Sequence, residues 1–198
     1  MSTSTIKSRP VHGTLVPDPT GRHHIVVGEG PGSAPVLRML ADPGFPEHPR
    51  HVLVAPDPAS GPAGLAALSA CGVAEIVPDV PSLLRRLDAL LGGCRMGTRL
   101  YAAGSESFLG AVVKIAAEHG LLDDERRTEH AGSAARRVHC THCRHVNEHV
   151  TANLVACGGC GRTLLVRDHY SRRLAAFMGV QADAEQPGAT PALQEVFP

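Results

Sequence analysis

The chain has 198 residues, of which 43% are hydrophobic, 19% charged and 3% aromatic, with no Trp. That apolar share can build one ordinary domain, or a modest domain plus a small module, and scarce aromatics suit packed α/β layers better than an aromatic-rich sandwich. The formal net charge of zero excludes a general attraction to nucleic acid or to an anionic membrane surface.

Residues 1–22 are rich in polar residues, Pro and Gly, and read as a flexible lead-in with no apolar core of a secretory signal. No stretch approaches the roughly 20 apolar residues that span a membrane. Six Cys without a signal peptide read as reduced thiols in the cytoplasm. His24 to Val27 is then a short apolar strand, Gly28 to Pro35 a glycine-rich turn, and Val36 to Ala41 the start of a helix. His51 to Ala55 is a second strand. Ala63 to Ala70 reads as a helix with Leu65 and Leu68 on one face, and Val73 to Val77 as a third strand. Pro81 to Leu91 is a helix with Pro in its first turn, where a missing N–H costs least. Arg99 to Ala103 is a fourth strand, and Ser105 to His119 an amphipathic helix stopped by Gly120. Apolar strands alternating with helices indicate βαβ units and a doubly wound parallel sheet over residues 23–137. Within that range, Leu121 to Arg137 reads as a last strand or connector.

The chemistry concentrates in residues 138–180. Cys140-Thr-His-Cys143 and Cys157-Gly-Gly-Cys160 are separated by thirteen residues. Two C-x-x-C knuckles at this spacing close a tetrahedral four-thiolate shell around one metal ion. Gly158, Gly159 and Gly161 would permit positive φ in the second knuckle, and Val146 to Val155 could form a hairpin between the two. A module this small would rely on the metal for its stability. Zinc leads. Iron is the rival, since S₄ suits both, but rubredoxin-like carriers have a longer span between knuckles, and the first knuckle here lacks a trailing Gly. His139, His142, His145 and His149 lie nearby, yet four well-spaced Cys make a His ligand unnecessary. Cys71 and Cys94 read as small buried residues. Ser171 to Gly179 reads as a short final helix, with Leu174, Phe177 and Met178 at helical spacing, and 181–198 as a flexible tail.

A turn between the first strand and the first helix is where such sheets place anionic ligands. Gly28-x-Gly30-x-x-Ser33 only approaches the dinucleotide fingerprint, so a bare structural turn and a phosphate site stay open. The segment Gly30 to Leu37 resembles the G-x-G-x-A-P-L segment of ferredoxin reductase-type NAD(P)H-binding domains. Tyr101 to Phe108 resembles their Y-x-C-G-P-x-x-M segment. That resemblance implies NAD(P)H contacts at Gly30, Gly32, Ser33 and Gly104. Two departures stand out: Ala103 replaces the Cys that lies near the nicotinamide, and Ser105 replaces the Pro. Hydride transfer also needs an acceptor against the nicotinamide, and no flavin barrel precedes the first strand.

From Cys140 to Glu185 the chain is similar to the C-terminal domain of the DmmA subunit family of bacterial dimethylamine monooxygenases. The resemblance implies an accessory, docking subunit of a multicomponent NAD(P)H-dependent enzyme for oxidative N-demethylation, with haem-bearing and flavin/iron–sulfur-bearing subunits as partners. A basic stretch with Arg167, Arg172 and Arg173 could meet a partner. Two other readings remain: a free-standing NAD(P)H-binding oxidoreductase component, and a zinc-ribbon nucleic-acid binder using Arg136, Arg137, Arg144 and Arg162. Neutral charge and the missing aromatic platform speak against the latter. No catalytic constellation is legible: there is no H-E-x-x-H, nucleophile elbow or P-loop lysine.

Overall fold

The computed structural model describes residues 8–46, 50–56, 66, 69–70 and 74–198. They divide into two units, residues 12–132 and residues 133–198 with 8–11.

In the first unit, runs of apolar residues form strands whose alternate side chains feed two cores. The strands are β1 (His23–Glu29), β2 (Arg50–Ala55), β3 (Ala74–Ile76), β4 (Thr98–Gly104) and β5 (Arg126–His130). They make one parallel sheet in the order β3-β2-β1-β4-β5. Ile25, Val27, Leu53, Ala55, Leu100 and Ala102 point to one face. There they meet helices α2 (Val80–Leu91) and α3 (Glu106–Glu118), through Leu83, Leu87 and Leu91 of α2 and Phe108, Leu109 and Val112 of α3. Val26, Val52, Val54, Tyr101 and Ala103 point to the other face, against Val36 and Met39 of helix α1 (Ser33–Leu40). Both faces are covered, which is the doubly wound arrangement expected. The helix ends follow local chemistry. Asp79 caps α2 by accepting the Ser82 N–H at 2.7 Å, and Gly120 leaves α3 at φ +80°. Of the helix expected over residues 63–70, residues 66, 69 and 70 are helical. Leu65, Leu68, Cys71 and Val73 lie outside the described residues.

Two expectations change here. β5, Arg-Arg-Thr-Glu-His, is a polar edge strand whose neighbour in the sheet is β4, so its sequence lacks the apolar run that marks the inner strands. The lead-in is not loose where it is described in this unit. Over residues 12–22, Leu15 is buried in the α1 core, the Gly13 N–H donates to the Thr128 carbonyl, and Asp18 is bound to the sheet. The Asp18 carboxylate accepts from Arg99 Nε at 2.7 Å and from the Thr20 hydroxyl at 2.6 Å, while its N–H donates to the Tyr101 hydroxyl.

The second unit is a sheet of β6 (Arg136–Cys140), β7 (Val146–Val150), β8 (Leu154–Ala156), β9 (Thr163–Ser171) and β10 (Ala176–Gln181), in the order β7-β6-β10-β9-β8. The boundary therefore falls near 133, earlier than the 138 read from composition. Val146 to Val155 is not a hairpin: β7 pairs with β6 and β8 with β9, at opposite edges. Nor is the final segment helical. Arg172 to Ala175 turn, with Ala175 at φ +48°, and β10 then fills the centre of the sheet, parallel to β6 and antiparallel to β9. Two ladders of backbone hydrogen bonds outweigh a helical spacing of three side chains, and Gly179 suits a helix poorly. The Gly179 position also lacks room, since a Cβ there would lie 2.7 Å from Val138 Cγ1.

The tail also returns to the sheet. Glu195 bridges Ala152, and the Ala134 N–H donates to the Pro198 carbonyl. Phe197 lies on one side of the Arg136 guanidinium at 3.7 Å and Phe177 on the other at 3.9 Å. Asp168 accepts from Arg136 at 2.9 Å and also pairs with Arg9.

Candidate functional site

Each C-x-x-C knuckle is the turn of a hairpin, β6–β7 for Cys140 and Cys143, and β8–β9 for Cys157 and Cys160. The two turns repeat one hydrogen-bond pattern. The Cys140 N–H donates to the His145 carbonyl and the Arg144 N–H to the Cys140 carbonyl; the Cys157 N–H donates to Arg162 and the Gly161 N–H to Cys157. Gly161 sits at φ +72° and Arg144, its counterpart, at φ +65°. The first knuckle thus adopts the same left-handed residue without a glycine. Gly158 and Gly159 are not in that region. Their place is set by space: a Cβ on Gly159 would lie 2.7 Å from His145 Cβ and 3.1 Å from Cys143 Sγ.

The four sulfurs all lie within 4.8 Å of one another. Cys140 and Cys160 are 3.9 Å apart, and Cys143 and Cys157 are 3.6 Å apart. A tetrahedron with metal–sulfur bonds of about 2.3 Å has edges of about 3.8 Å, so the cluster fits a single ion. Cys140 and Cys157 are buried. The thiols bias one another. For Cys157, desolvation opposes ionisation, but N–H groups of Gly159 and Cys160 and the thiols of Cys143 and Cys160 bring it down to about 6. Cys143 receives the His145 N–H, yet desolvation and its three thiol neighbours push it up to about 12. Four thiols this close cannot all ionise without a cation between them. Among the described residues no histidine joins the group. His142 instead contacts the Arg162 guanidinium at 2.7 Å.

One residue that sequence reading missed joins the two hairpins. Asn147 is 8% exposed. Its Oδ1 accepts the Gly158 N–H at 2.9 Å, and its Nδ2 donates to the Val138 carbonyl and faces Cys157 Sγ at 3.9 Å. Asn147 and Val150 are three apart yet both buried, because the strand bulges at His149, φ +54°. A buried Asn beside a knuckle was the only available signal, and strand alternation hid it.

The second expected site is the crevice between the carboxyl ends of β1 and β4, where the strand order reverses. Gly30, at φ +52°, opens a 3-10 turn that runs into α1. The Ser33 hydroxyl donates back to the Gly30 carbonyl at 2.9 Å. Gly32 packs on β4, and a Cβ there would lie 2.0 Å from the Ala103 carbonyl oxygen. Gly104 faces Glu29, whose Oε2 accepts the Ser105 N–H at 2.9 Å. Where the resembled family has Pro, Ser105 supplies that N–H. Around the rim, His12 contacts Glu106 at 3.2 Å and Thr128 at 2.8 Å. Glu129 accepts from Arg38 at 2.5 Å and from the Leu15 N–H at 2.6 Å.

The basic segment is a hairpin rather than a helix. Arg167, Arg172 and Arg173 are exposed on β9 and its turn. Of the four arginines considered for nucleic acid, Arg136 is buried between two rings and Arg137 pairs with Glu148. Those two are engaged within the unit. Among the described residues no helix is long and apolar enough to cross a membrane.

Fold and site together define a two-part protein: a doubly wound parallel α/β sheet followed by a β-ribbon with a four-cysteine cluster able to hold a metal ion. Residues 4–125 match the N-terminal domain, and residues 137–180 the C-terminal domain, of the dimethylamine monooxygenase subunit DmmA-like proteins. The chain belongs to this DmmA-like family. A curated relative, the heme-dependent oxidative N-demethylase delta subunit of Ectopseudomonas mendocina (strain ymp), is 39% identical over 114 residues, which cover 56% of this chain and 65% of that one. The chain thus matches just under two thirds of that relative's length. Among solved structures, a phthalate dioxygenase reductase gives a TM-score of 0.47 at 15% identity, over 67% of this chain and 45% of that one. An intact type IV self-sufficient cytochrome P450 monooxygenase gives 0.45 at 19% identity, over 85% and 21%.

Proposed function

We propose that this chain is a non-catalytic accessory subunit of a multicomponent, NAD(P)H-dependent monooxygenase that removes a methyl group from dimethylamine oxidatively. The family match over both units carries this reading, and the relative named as a delta subunit of a heme-dependent N-demethylase supports it. Its partners are haem-bearing and flavin/iron–sulfur-bearing subunits. The ion is zinc, held by Cys140, Cys143, Cys157 and Cys160. A four-thiolate shell has no open coordination position, so its role is structural. It holds two hairpins in register and thereby presents the exposed Arg167–Arg173 edge for docking. The working compartment is the cytoplasm, where thiols stay reduced.

Two measurements test the reading. Tagged chain co-expressed with haem-bearing and flavin/iron–sulfur-bearing subunits of such a monooxygenase should retain them on purification, and the Arg167→Glu, Arg173→Glu double variant should retain less. A chain that never associates with them sinks the proposal. Elemental analysis should return one zinc per chain; a red iron–thiolate absorption without zinc would reassign the metal.

A further inference from the structure

We propose that the ligand crevice of the sheet is closed from within: the Glu29 carboxylate occupies the position of a ligand anion, and the domain does not bind NAD(P)H. The inference concerns residues 12–132 alone and holds whether or not the docking reading does.

Crevices at the reversal of strand order bind anionic cofactors through free backbone N–H groups at helix N-termini and through nearby cations. Here several of those donors are engaged. The Ser105 N–H, at the start of α3, goes to Glu29 Oε2 at 2.9 Å. The Phe108 N–H goes to the Ser105 hydroxyl. At the start of α1, the Ser33 N–H and hydroxyl both turn back to the carbonyls of the 3-10 turn. The nearby cation Arg38 is held by Glu129, and His12 by Glu106.

The charge is wrong for a pyrophosphate as well. Three carboxylates, Glu29, Glu106 and Glu129, stand at or beside the crevice, and a dianion placed among them meets repulsion. The glycines are accounted for without a ligand. Gly32 is needed because a Cβ would lie 2.0 Å from the Ala103 carbonyl oxygen, and at Gly104 a Cβ would lie 2.7 Å from Phe108 Cδ1 and 2.8 Å from Glu29 Oε2. Gly104 therefore makes room for the Phe108 ring and the carboxylate together. The segment 12–18 then runs over the rim, with the Gly13 N–H on the Thr128 carbonyl and the Leu15 N–H on Glu129.

Calorimetric titration of the full chain with NADPH, NADH and inorganic pyrophosphate tests this. The wild type should show no saturable binding at millimolar ligand. Glu29→Ser removes the carboxylate and frees the Ser105 N–H, and should bind pyrophosphate at least about tenfold more tightly than the wild type. Saturable NADPH or NADH binding by the wild type overturns the proposal. So does a folded E29S, checked by circular dichroism, with no gain in pyrophosphate binding. If E29S does not fold, Glu29→Ala replaces it, removing the charge and freeing the Ser105 N–H. A folded E29A that binds pyrophosphate no better than the wild type overturns the plug equally.

Discussion

Asn147 and Asp18 show how single buried polar groups hold each unit together. Asn147 spans two hairpins that are joined otherwise through the four-cysteine cluster and the central strand. Removing its side chain leaves the Gly158 N–H and the Val138 carbonyl without that partner, at a cost of about 1–3 kcal/mol. Asn147→Ala should lower the melting temperature of the ribbon and shorten the half-time of metal loss to a chelator; unchanged release kinetics would count against the bridging role. Asp18 acts on the sheet unit. Its pKa is held well below the ordinary 3.8, first by the Thr20 hydroxyl and, against desolvation, by Arg99. A carboxylate whose folded pKa is depressed stabilises the fold above its ordinary value and loses that contribution as the pH falls below it. The wild type should therefore lose stability as acid is added below about pH 4. Asp18→Asn, destabilised by about 1–3 kcal/mol at neutral pH, should show a shallower slope in the same denaturation series. Parallel slopes for the two proteins would remove Asp18 as the titrating group.

At the scale of elements, the segments that surprised are those whose partners lie far along the chain. β10 sits between β6 and β9, and the closing strand-like stretch ending at Phe197 reaches back to Thr151 and Arg136. Arg136 is 5% exposed, so its charge relies on Asp168 and on the faces of Phe177 and Phe197. Phe197→Ala should destabilise the ribbon by about 1–2 kcal/mol, read by urea denaturation. Phe197→Leu keeps an apolar contact but no π face, and should fall between the two. If Leu restores full stability, the ring contributes packing only. None of this was legible locally. Leu174, Phe177 and Met178 carry a helical spacing, and a polar, Pro- and Gly-containing tail looks unstructured until its acceptor strand is known. In the sheet unit the opposite holds. β1, β2 and β4 were readable because strands buried on two faces carry apolar runs, whereas the edge strand β5 and the packed lead-in were not.

For the whole molecule, the metal ion proposed for the four-cysteine cluster is the decisive variable. The described ribbon core is small: Val138, Val150, Val166 and Phe177, with a second cluster around the sulfurs themselves. Structural zinc contributes about 10–16 kcal/mol to modules of this kind. Stripping the ion with a strong chelator should abolish amide-exchange protection across residues 133–198 while leaving 12–132 protected; protection surviving in β6 and β9 would show that the ribbon folds without metal. The same division separates what could be read from the chain alone from what could not. Two C-x-x-C pairs thirteen residues apart announce a metal cluster, since ligand chemistry depends on residue type and short spacing. Alternating apolar strands and helices announce a parallel sheet, because burial on both faces leaves a local pattern. Which strand neighbours which, that Asn147 ties the knuckles and that Glu29 lies across the crevice depend on contacts between residues far apart in sequence. Only the tertiary structure decides those, because pairing energy is realised when both partners are in place.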